Sequence, residues 1–344
     1  YPDHRVFVTT TTPTGSQALT DHYQNEVLHA YFPFDLPIVI NRYLKQINPK
    51  ICILLETEIW PNLIHALKQN KTPSFLVNAR LSQKSLEKYQ KFAPKLAQQT
   101  LNKLTQVATQ NQNSAERFIQ LGVNKAIVSN VGNIKFDQNP VPNKAISKAL
   151  KDIIGKQKAV VFASTHQGEE EKIINSYLKF KDQINALLII IPRHPERFNE
   201  VHKLGKNANL KIVRRSNNQS AIQADLLLGD SMGEMMSYFD VADVVFMGGS
   251  LNNTGGHNML EPAALAKPIL FGPTVFNFAE ISSDLIKQQA SVQIKNSDEL
   301  LKEIGVLLND KETCKALGDN AKKYFKSKQG AVKTLMTTIK TSAF

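Results

Sequence analysis

The amino-acid sequence predicts an α/β protein built from two doubly wound, Rossmann-like domains. Short apolar runs alternate with helical stretches along the chain, which is the pattern of a parallel sheet covered by helices. The 344 residues exceed what a single hydrophobic core usually holds. The segment FDQNPVPNKAI, residues 136–146, breaks both the helical and the strand periodicity and divides the chain. Two such domains facing each other would bind ligands in the cleft at the carboxyl ends of their strands.

The strand candidates lie on both sides of this dividing segment. In the first half they are RVFVTT, ICILLE, SFLVNA, QVATQ and AIVSNVG. In the second half they are AVVFAS, ALLIIIP, KIVRR, DLLLGD, DVVFMGG and PILFG. We therefore predict a first domain over 1–138, a linker over 139–146 and a second domain over 147–325. Residues 326–344 are predicted to form a C-terminal helix, and its packing back on the first domain is one arrangement left open.

The composition is that of an ordinary globular protein. Hydrophobic residues make up 42% of the chain and charged residues 21%. Cys52 and Cys314 lie far apart in the sequence and suggest neither a disulfide framework nor a zinc site, which fits a reducing compartment. No apolar run reaches the ~20 residues that a membrane-spanning helix needs, and no signal peptide is visible. We expect neither a metal nor a cofactor.

The formal net charge of +12 is concentrated between residues 68 and 103. The basic residues of this segment include Arg80, Lys84, Lys88, Lys91 and Lys95. The lysines among them repeat at helical spacing and share one face until Pro94 disturbs the helix. This face is a solvated surface, a contact for an anionic membrane or a contact for a phosphorylated substrate. No RNP-like, zinc-finger or helix-turn-helix signature accompanies the charge, so we expect no nucleic-acid partner.

Residues 248–278, GGSLNNTGGHNMLEPAALAKPILFGPTVFNF, are the most informative stretch of the chain. They predict a strand end, a glycine-rich loop, a helix and a second short strand. The glycines let backbone amides approach a ligand closely, and the helix start offers unpaired N–H groups to an anion. Glu261 is placed where it could accept hydrogen bonds from ribose hydroxyls. The alternative is a loop closed by a capping box, because Asn258 and Glu261 have the spacing of N-cap and N3.

Polar residues also follow other strand candidates. Ser-Thr-His at 164–166 precedes a run of acids, and these residues are either ligand contacts or an ordinary helix start. Arg193 follows ALLIIIP and could grip a phosphate or carboxylate in a bidentate manner, with a structural salt bridge as the alternative. Residues 230–234 open another helix. After ICILL, the i, i+2 spacing of Glu56 and Glu58 in an extended chain would point both carboxylates the same way, into a cleft.

Several familiar catalytic motifs have no match in the sequence. There is no G-x-G-x-x-G after a strand, no G-x-x-x-x-G-K-[ST], no G-x-S-x-G and no H-E-x-x-H. A dehydrogenase, a P-loop kinase, an α/β-hydrolase or a zincin therefore has little support. What remains is a two-domain nucleotide-dependent enzyme, and nucleotide-sugar glycosyltransferases with two Rossmann domains fit that description.

The sequence resembles the 3-deoxy-D-manno-octulosonate (Kdo) transferases through blocks that follow in order along nearly the whole chain. The blocks are VTTTTPTGS (8–16), ETEIWPNLI (56–64), NARLS (78–82), VGNIKFD (131–137), ASTHQGEE (163–170), IPRHPERF (191–198), GDSMGE (229–234), GGHNMLEPAA (255–264) and FGPTVFNF (271–278). The resemblance implies the glycosyltransferase-B fold and the inverting transfer of Kdo from CMP-Kdo to the lipid A precursor lipid IVA. This step belongs to lipopolysaccharide inner-core biosynthesis, so action at the cytoplasmic face of the inner membrane of a Gram-negative cell is also implied.

The resemblance further implies site residues. An acid of the ETE block, Glu58 or Glu56, and the lysine of GNIKFD, Lys135, would assist the transition state, because a lysine that faces developing phosphate charge helps CMP depart. The implied contacts to CMP are Pro192, Arg193, Met232, Gly233, Glu234, Asn258, Met259, Leu260 and Glu261. The strand-end pattern adds the donor contacts Ser164, Thr165 and His166. The basic segment adds the face for the acceptor and the anionic membrane, namely Arg80, Lys84, Lys88, Lys91 and Lys95.

The general base is the main departure from the family pattern. Inversion needs a base that deprotonates the acceptor hydroxyl. The family places this base as a glutamate in a Gly-Glu motif ahead of the block that matches VTTTTPTGS, and a membrane-anchor segment also lies near its N-terminus. We therefore expect the base and the anchor upstream of residue 1, and we assign the role to none of the carboxylates in 1–344.

Two functions of other classes stay open from the sequence. One is a sugar-nucleotide 2-epimerase, which shares the fold but acts on UDP-sugars without a lipid acceptor and has no need of a basic acceptor face. The other is a non-catalytic module that binds lipid or membrane. The intact motif loops argue against such a module.

Overall fold

The computed structural model describes residues 4–343. The chain divides into two compact units, Tyr1–Ile134 with Gly330–Phe344, and Lys135–Gln329. The strands are β1 (Phe7–Thr10), β2 (Leu28–Tyr31), β3 (Cys52–Leu55), β4 (Ser74–Ala79), β5 (Gln106–Thr109), β6 (Val128–Asn130), β7 (Ala159–Thr165), β8 (Leu187–Pro192), β9 (Ile212–Arg214), β10 (Leu226–Leu228), β11 (Val244–Met247), β12 (Ile269–Phe271) and β13 (Ser291–Gln293). The helices are α1 (Pro13–Tyr23), α2 (Pro37–Ile47), α3 (Pro61–Gln69), α4 (Gln83–Phe92), α5 (Pro94–Leu101), α6 (Gln112–Gln120), α7 (Lys144–Ile154), α8 (Glu169–Phe180), α9 (Phe198–Asn207), α10 (Met235–Val241), α11 (Leu260–Ala264), α12 (Ala279–Lys287), α13 (Ser297–Asn309), α14 (Lys311–Ser327) and α15 (Ala331–Ala343).

The first unit contains a parallel sheet in the order β3-β4-β5-β6 and a separate parallel pair, β1-β2. Every residue of β4 is buried. Leu76 belongs to one core cluster and its neighbours Phe75 and Val77 to another, because successive side chains of a strand point to opposite faces. This burial on both faces is typical of a parallel sheet covered by helices. Proline begins α1, α2, α3 and α5, a position where its missing N–H costs no helical hydrogen bond.

The C-terminal segment is divided between the two units. Helix α14 ends at Ser327 in the second unit, and Gly330, whose φ is +110, breaks the chain direction before α15 begins. Leu335 and Ile339 of α15 join the core cluster of Phe75 in the first unit. The region predicted as one helix over 326–344 is therefore the end of one helix and the whole of another.

The second unit is built on a seven-stranded parallel sheet in the order β13-β12-β11-β7-β8-β10-β9. Val161 and Ile189 pack in one core cluster, while Val160 and Leu188 pack in another, so apolar cores lie on both faces. The chain runs from β7 to β8 on one side and later returns to β11 on the other side of β7. The loops after β7 and β11 consequently diverge at the switch point of the sheet, where α/β proteins bind their ligands.

The prediction of a parallel α/β fold is confirmed, and each predicted strand run contains a strand. Strands β2 and β13 were not predicted, because LHAY and SVQ are too short to show an alternating pattern. Helix α7 begins at Lys144, inside the predicted linker over 139–146, and the short helix Ile134–Asp137 lies before that linker. Asn143 explains this early start, because its side chain accepts hydrogen bonds from the N–H groups of Ala145 and Ile146.

Candidate functional site

The predicted donor contacts of the second unit all lie at the carboxyl edge of its sheet. Residues 164–165 end β7 and residues 166–168 follow it. Residues 193–197 follow β8, residues 229–234 follow β10 and residues 248–259 follow β11. These strands are consecutive neighbours in the sheet, in the order β11-β7-β8-β10. Parallel strands therefore bring the loops to one edge, although the segments are scattered along the sequence.

The glycine-rich loop after β11 is held by a buried carboxylate. Glu169, the first residue of α8, is 0% exposed. Its Oε2 accepts hydrogen bonds from the N–H groups of His166 (2.9 Å) and Gly249 (2.7 Å), and its Oε1 accepts from Ser250 (3.0 Å) and Leu251 (2.8 Å). The expectation that the N–H groups of this loop face a ligand is wrong for these amides, because they already bind a carboxylate from within the chain.

Glycine is required where the loops after β7 and β11 meet. A Cβ atom on Gly248 would lie 2.5 Å from the carbonyl oxygen of Ser164, closer than atoms can approach. Gly249 has φ +68, and its carbonyl oxygen accepts hydrogen bonds from the N–H groups of Gly255 and Gly256. The loop is thus folded back on itself, and its second pair of glycines is also engaged internally.

His166 and His257 meet at this edge. Their Nε2 atoms are 2.7 Å apart, their ring centres are 5.0 Å apart and their planes differ by 5°. These values fit two rings that lie end to end in nearly one plane. The N–H of one Nε2 therefore donates a hydrogen bond to the other Nε2. Burial lowers the pKa of His257 to about 4, and the repulsion that a protonated His166 and the nearby Arg193 would exert adds to this effect. Burial also lowers the pKa of His166, against the opposing effect of Glu169, so both rings are neutral near pH 7.

Arg193 presents a charge that no side chain neutralises. Its backbone N–H donates to the carbonyl oxygen of Thr165 at 2.9 Å, which fixes the start of the loop after β8. Among residues 4–343, no acidic side chain forms an ion pair with its guanidinium, whereas Arg197 pairs with the buried Glu170 at 2.5 Å and with Glu200 at 2.9 Å. The salt-bridge alternative considered for Arg193 is therefore not realised, and its exposed guanidinium is available to an anion.

Asn258 and Glu261 form a pair at the start of α11. The side-chain amide of Asn258 donates to Oε1 of Glu261 at 3.1 Å, and its Oδ1 accepts from the N–H of Leu260 at 3.2 Å. Since α11 begins at Leu260, the two residues do not have the positions of a capping box. Burial raises the pKa of Glu261, and the hydrogen bond from Asn258 lowers it in part. The carboxylate thus keeps acceptor capacity for further hydroxyl groups.

The loop after β10 contributes an exposed apolar side chain and an anchored acid. Met232 is 62% exposed, and Gly233, with φ +76, has open space where a side chain would stand. Glu234 accepts hydrogen bonds from Arg215 (3.1 and 3.2 Å) and from the hydroxyl of Ser231 (2.7 Å). The carboxylate of Glu234 therefore holds the loop in place, and Met232 and Gly233 present the surface that a ligand can reach.

The paired acids of the first unit are not arranged as predicted. Glu56 has a left-handed backbone, with φ +56, so the chain turns directly after β3. The prediction of an extended chain, which would point the carboxylates of Glu56 and Glu58 the same way, is therefore wrong. Oε2 of Glu58 accepts a hydrogen bond from Nε1 of Trp60 at 3.0 Å, and the ring of Trp60 packs on Phe32 with centres 4.8 Å apart. Glu58 is exposed and held at a defined orientation.

Lys135 lies in the short helix Ile134–Asp137 at the start of the second unit. The next residue, Phe136, is buried, with its ring 5.6 Å from that of Tyr324 and 6.0 Å from that of Phe325. This aromatic packing fixes the backbone from which Lys135 projects.

The basic residues of the first unit lie on two helices. Lys84, Lys88 and Lys91 are exposed on α4, while Lys95 is exposed on α5. The helix is interrupted at Pro94, as predicted, because α4 ends at Phe92 and Pro94 begins α5. At this junction the apolar side chains Phe92 and Leu96 are 75% and 56% exposed. Arg80 is half-buried at the end of β4.

Comparison with known proteins identifies the family. A family model described as 3-Deoxy-D-manno-octulosonic-acid transferase (kdotransferase) matches residues 1–138, and one described as Glycosyl transferases group 1 matches residues 156–324. The 3-deoxy-D-manno-octulosonic acid transferase of Haemophilus influenzae is 38% identical to this chain, over 99% of the chain and 81% of that protein. The chain belongs to the Kdo transferase family.

Further similarities agree with this assignment. The 3-deoxy-D-manno-octulosonic acid transferase of Rickettsia felis is 35% identical over 96% of this chain and 71% of its own length. A crystal structure of a glycosyltransferase from Rickettsia africae shares the fold, with a TM-score of 0.64 and 12% identity over 98% of this chain and 89% of that one. This Kdo transferase is thus a glycosyltransferase with the glycosyltransferase-B fold, as predicted.

Several residues that build the candidate site were not predicted. Glu169 and Glu170 precede an apolar helical stretch, so their sequence context is that of ordinary first-turn acids. Both are fully buried, and they connect the loop after β7 to the loops after β11 and β8. Arg215, which holds Glu234, had no signal in the sequence.

Two negative findings concern the described part of the Kdo transferase. Within residues 4–343, no helix combines the length and the apolar character that crossing a bilayer requires. The same residues contain no cluster of three or more His, Cys, Asp and Glu side chains suited to a metal ion.

Proposed function

We propose that this enzyme transfers Kdo from CMP-Kdo to lipid IVA, with inversion at the anomeric carbon, at the cytoplasmic face of the inner membrane of a Gram-negative cell. The family supports Kdo transfer. The observation that carries the donor assignment is the presence, at one sheet edge, of the unpaired guanidinium of Arg193 and the acceptor pair of Asn258 and Glu261.

Arg193 is proposed to bind the single phosphate of the donor. The N–H groups of residues 249–251 are occupied by Glu169, so charge on a ligand has to be balanced by a side chain. A guanidinium with no internal partner binds two oxygens of a phosphate in a bidentate manner. The neutral rings of His166 and His257 add hydrogen-bonding capacity without a second fixed charge.

Glu261 is proposed to accept hydrogen bonds from the ribose hydroxyls of CMP. The residue is half-buried and has a single internal donor, Asn258, which leaves the remaining acceptor positions of its carboxylate for a ligand. The exposed residues Met232 and Gly233 would complete the surface around the nucleotide, next to the buried Pro192.

For the chemical step we propose that Lys135 stabilises the phosphate charge that develops as CMP leaves, and that Glu58 also assists the transition state. A positioned cation is worth more in the transition state than in the ground state, because the charge it faces is larger there. Trp60 orients the Glu58 carboxylate through the 3.0 Å hydrogen bond from Nε1. These roles follow from the match of both residues to family motifs.

The acceptor and an anionic membrane surface are proposed to lie against α4 and α5. Lys84, Lys88 and Lys91 supply positive charge, and the exposed Phe92 and Leu96 supply apolar area beside it. Basic and apolar residues that lie side by side are typical of a protein surface that binds to the headgroup region of an anionic membrane without spanning the bilayer.

A transfer assay with the enzyme expressed at full length tests the proposal. The enzyme is incubated with CMP-Kdo and lipid IVA, and the release of CMP and the mass of the lipid product are followed. We expect stoichiometric CMP release and a gain of whole Kdo units. Arg193→Ala and Glu261→Ala should raise the KM for CMP-Kdo, whereas Lys135→Ala should lower kcat, about 10²-fold or more for a group that acts mainly in the transition state. Turnover of a UDP-sugar in the absence of CMP-Kdo would contradict the proposal and favour the 2-epimerase alternative.

A further inference from the structure

The carboxylate of Glu169 is saturated by backbone donors from two separate loops. Each of its oxygens accepts two N–H groups, at 2.7–3.0 Å, and the side chain is 0% exposed. No basic side chain among residues 4–343 forms an ion pair with it. A buried carboxylate is costly unless its charge is compensated. Here the compensation comes from the amides of residues 166 and 249–251. These four amides and the carboxylate form one hydrogen-bonded cluster.

This cluster is part of a closed ring of contacts that runs through the loops after β7 and β11. From Glu169 the ring passes to Gly249, whose carbonyl oxygen binds the N–H groups of Gly255 and Gly256. The next residue, His257, meets His166 through the 2.7 Å contact between Nε2 atoms, and the N–H of His166 returns to Glu169. Because hydrogen bonds and short covalent segments close this ring, the loop after β11 is held in one position relative to β7.

We propose that Glu169 is a positioning residue for the nucleotide donor, which sets the location of Asn258 and Glu261 by clamping the glycine-rich loop to the loop after β7. The proposal rests on the proposed function, since it takes Glu261 as the ribose contact. Asn258 follows His257 directly, so a shift of the ring moves the Asn258–Glu261 pair with it. Glu169 itself is buried and does not touch the ligand.

The chemistry requires a carboxylate at this position. Four N–H donors need an acceptor at every site, and a glutamine would turn its own NH₂ group towards two of them. Glu169→Gln therefore leaves buried donors unpaired and releases the loop. From the usual effect of one unsatisfied buried group, we expect the Kd for CMP to rise about tenfold to a hundredfold. Glu171→Gln is the matched control, because it makes the same change at an exposed glutamate in the same turn of α8.

The test combines calorimetry with steady-state kinetics on the full-length enzyme. For Glu169→Gln we expect a higher Kd for CMP and a higher KM for CMP-Kdo, with the KM for the lipid acceptor unchanged. A general loss of structure would change both KM values, so this difference separates positioning from instability. Glu171→Gln should match the wild type. A folded Glu169→Gln variant with wild-type CMP affinity would overturn the proposal.

A measurement on the wild type keeps the proposal testable if the variant does not fold. The amide hydrogens of residues 249–251 should exchange slowly with solvent even without nucleotide, because the clamp exists before the ligand arrives. Rapid exchange of these amides in the folded wild type would show that Glu169 does not hold them. Failure of the wild type to bind CMP would instead contradict the proposed function. Slow exchange of the same amides would still support the hydrogen bonds from these amides to Glu169.

Discussion

The unusual residues of the donor site are charged or titratable groups whose partners lie far away in the sequence. Glu169 binds backbone donors 80 to 82 residues later in the chain. His166 and His257 share one hydrogen bond, and burial keeps both rings neutral near pH 7. Arg193 is left as the charged group without an internal partner among the described residues. The proposed donor site therefore offers the charge of Arg193 to an anionic ligand, while Glu169 and Glu234 hold its loops and Glu261 keeps acceptor positions for hydroxyl groups.

The depressed pKa of His257 predicts a loss of stability in mild acid. An unfolded histidine has a pKa near 6.5, while that of the folded His257 is about 4, so the unfolded state takes up the proton first as pH falls. The free energy of unfolding should be constant above about pH 7 and fall between about pH 6.5 and 4. The full shift corresponds to roughly 3 kcal/mol, and we expect about half of this because the ring is partly open to solvent.

Urea unfolding at pH 7 and at pH 5 measures this effect. His257→Gln should have a smaller pH dependence than the wild type, because glutamine takes up no proton in this range. The matched control is His22→Gln, which changes an exposed histidine of α1. An unchanged pH dependence in His257→Gln would contradict the neutral, buried state of the ring.

The sequence predicted the site loops better than it predicted how they are held. Residues 164–166, Arg193 and Glu261 could be found because polar groups at strand ends stand out against apolar runs. The clamp of Glu169 could not be found, since an acid in the first turn of a helix has a sufficient local explanation. Its partners are backbone amides, which no sequence pattern identifies. The left-handed turn at Glu56 was missed for a similar reason, because glutamate rarely adopts φ +56.

The secondary-structure elements show where local patterns decide and where the fold overrides them. Strands β7 and β8 of the second unit are mainly apolar runs that are buried on both faces, so their positions could be predicted. Helix boundaries depended on single residues: Pro94 separates α4 from α5, and Gly330 separates α14 from α15. The predicted C-terminal helix crossed Gly330 because lysine-rich sequence on both sides has the same helical character.

Helix α15 is predicted to stabilise the first unit, although it lies at the other end of the chain. Ile339 is 1% exposed and packs in the cluster of Phe75. Ile339→Ala should lower the free energy of unfolding by about 2–5 kcal/mol, because the deleted methyl groups leave a cavity. Met336→Ala, on the same helix, is the control, since Met336 is 41% exposed. Denaturant unfolding checks both variants, and equal effects of the two would show that α15 does not pack as described.

The whole molecule carries a formal charge of +12, and part of it is gathered on α4 and α5 of the first unit. Folding keeps the charged side chains of Lys84, Lys88, Lys91 and Lys95 exposed. The proposed donor contacts belong to the second unit. The proposed acceptor and donor functions are thus assigned to different units, and changes in one should leave the other unaffected.

Charge reversal on α4 tests the membrane surface. Each lysine near an anionic surface contributes about 1 kcal/mol, so Lys84→Glu with Lys88→Glu should weaken binding to anionic vesicles more than tenfold. Added salt should weaken the wild type as well, because the attraction acts within a Debye length. Cosedimentation with phosphatidylserine vesicles measures both effects.

The matched control reverses the same amount of charge on the second unit. Lys322→Glu with Lys323→Glu changes two exposed lysines of α14 and should leave vesicle binding close to that of the wild type. Vesicle binding that responds neither to the α4 reversal nor to salt would show that these lysines form only a solvated face.

The most direct test of the account is the calorimetric titration of CMP into the wild type, Arg193→Ala, Glu261→Ala and the control Glu196→Ala. Glu196 lies in the same loop as Arg193 and is largely exposed, with 74% of its side chain accessible. We predict saturable binding of one CMP to the wild type and to Glu196→Ala. Loss of a charge-assisted contact should weaken binding about tenfold or more in each of the other two variants. Absence of CMP binding to the wild type, or unchanged affinity in both Arg193→Ala and Glu261→Ala, would contradict the assignment of the donor site.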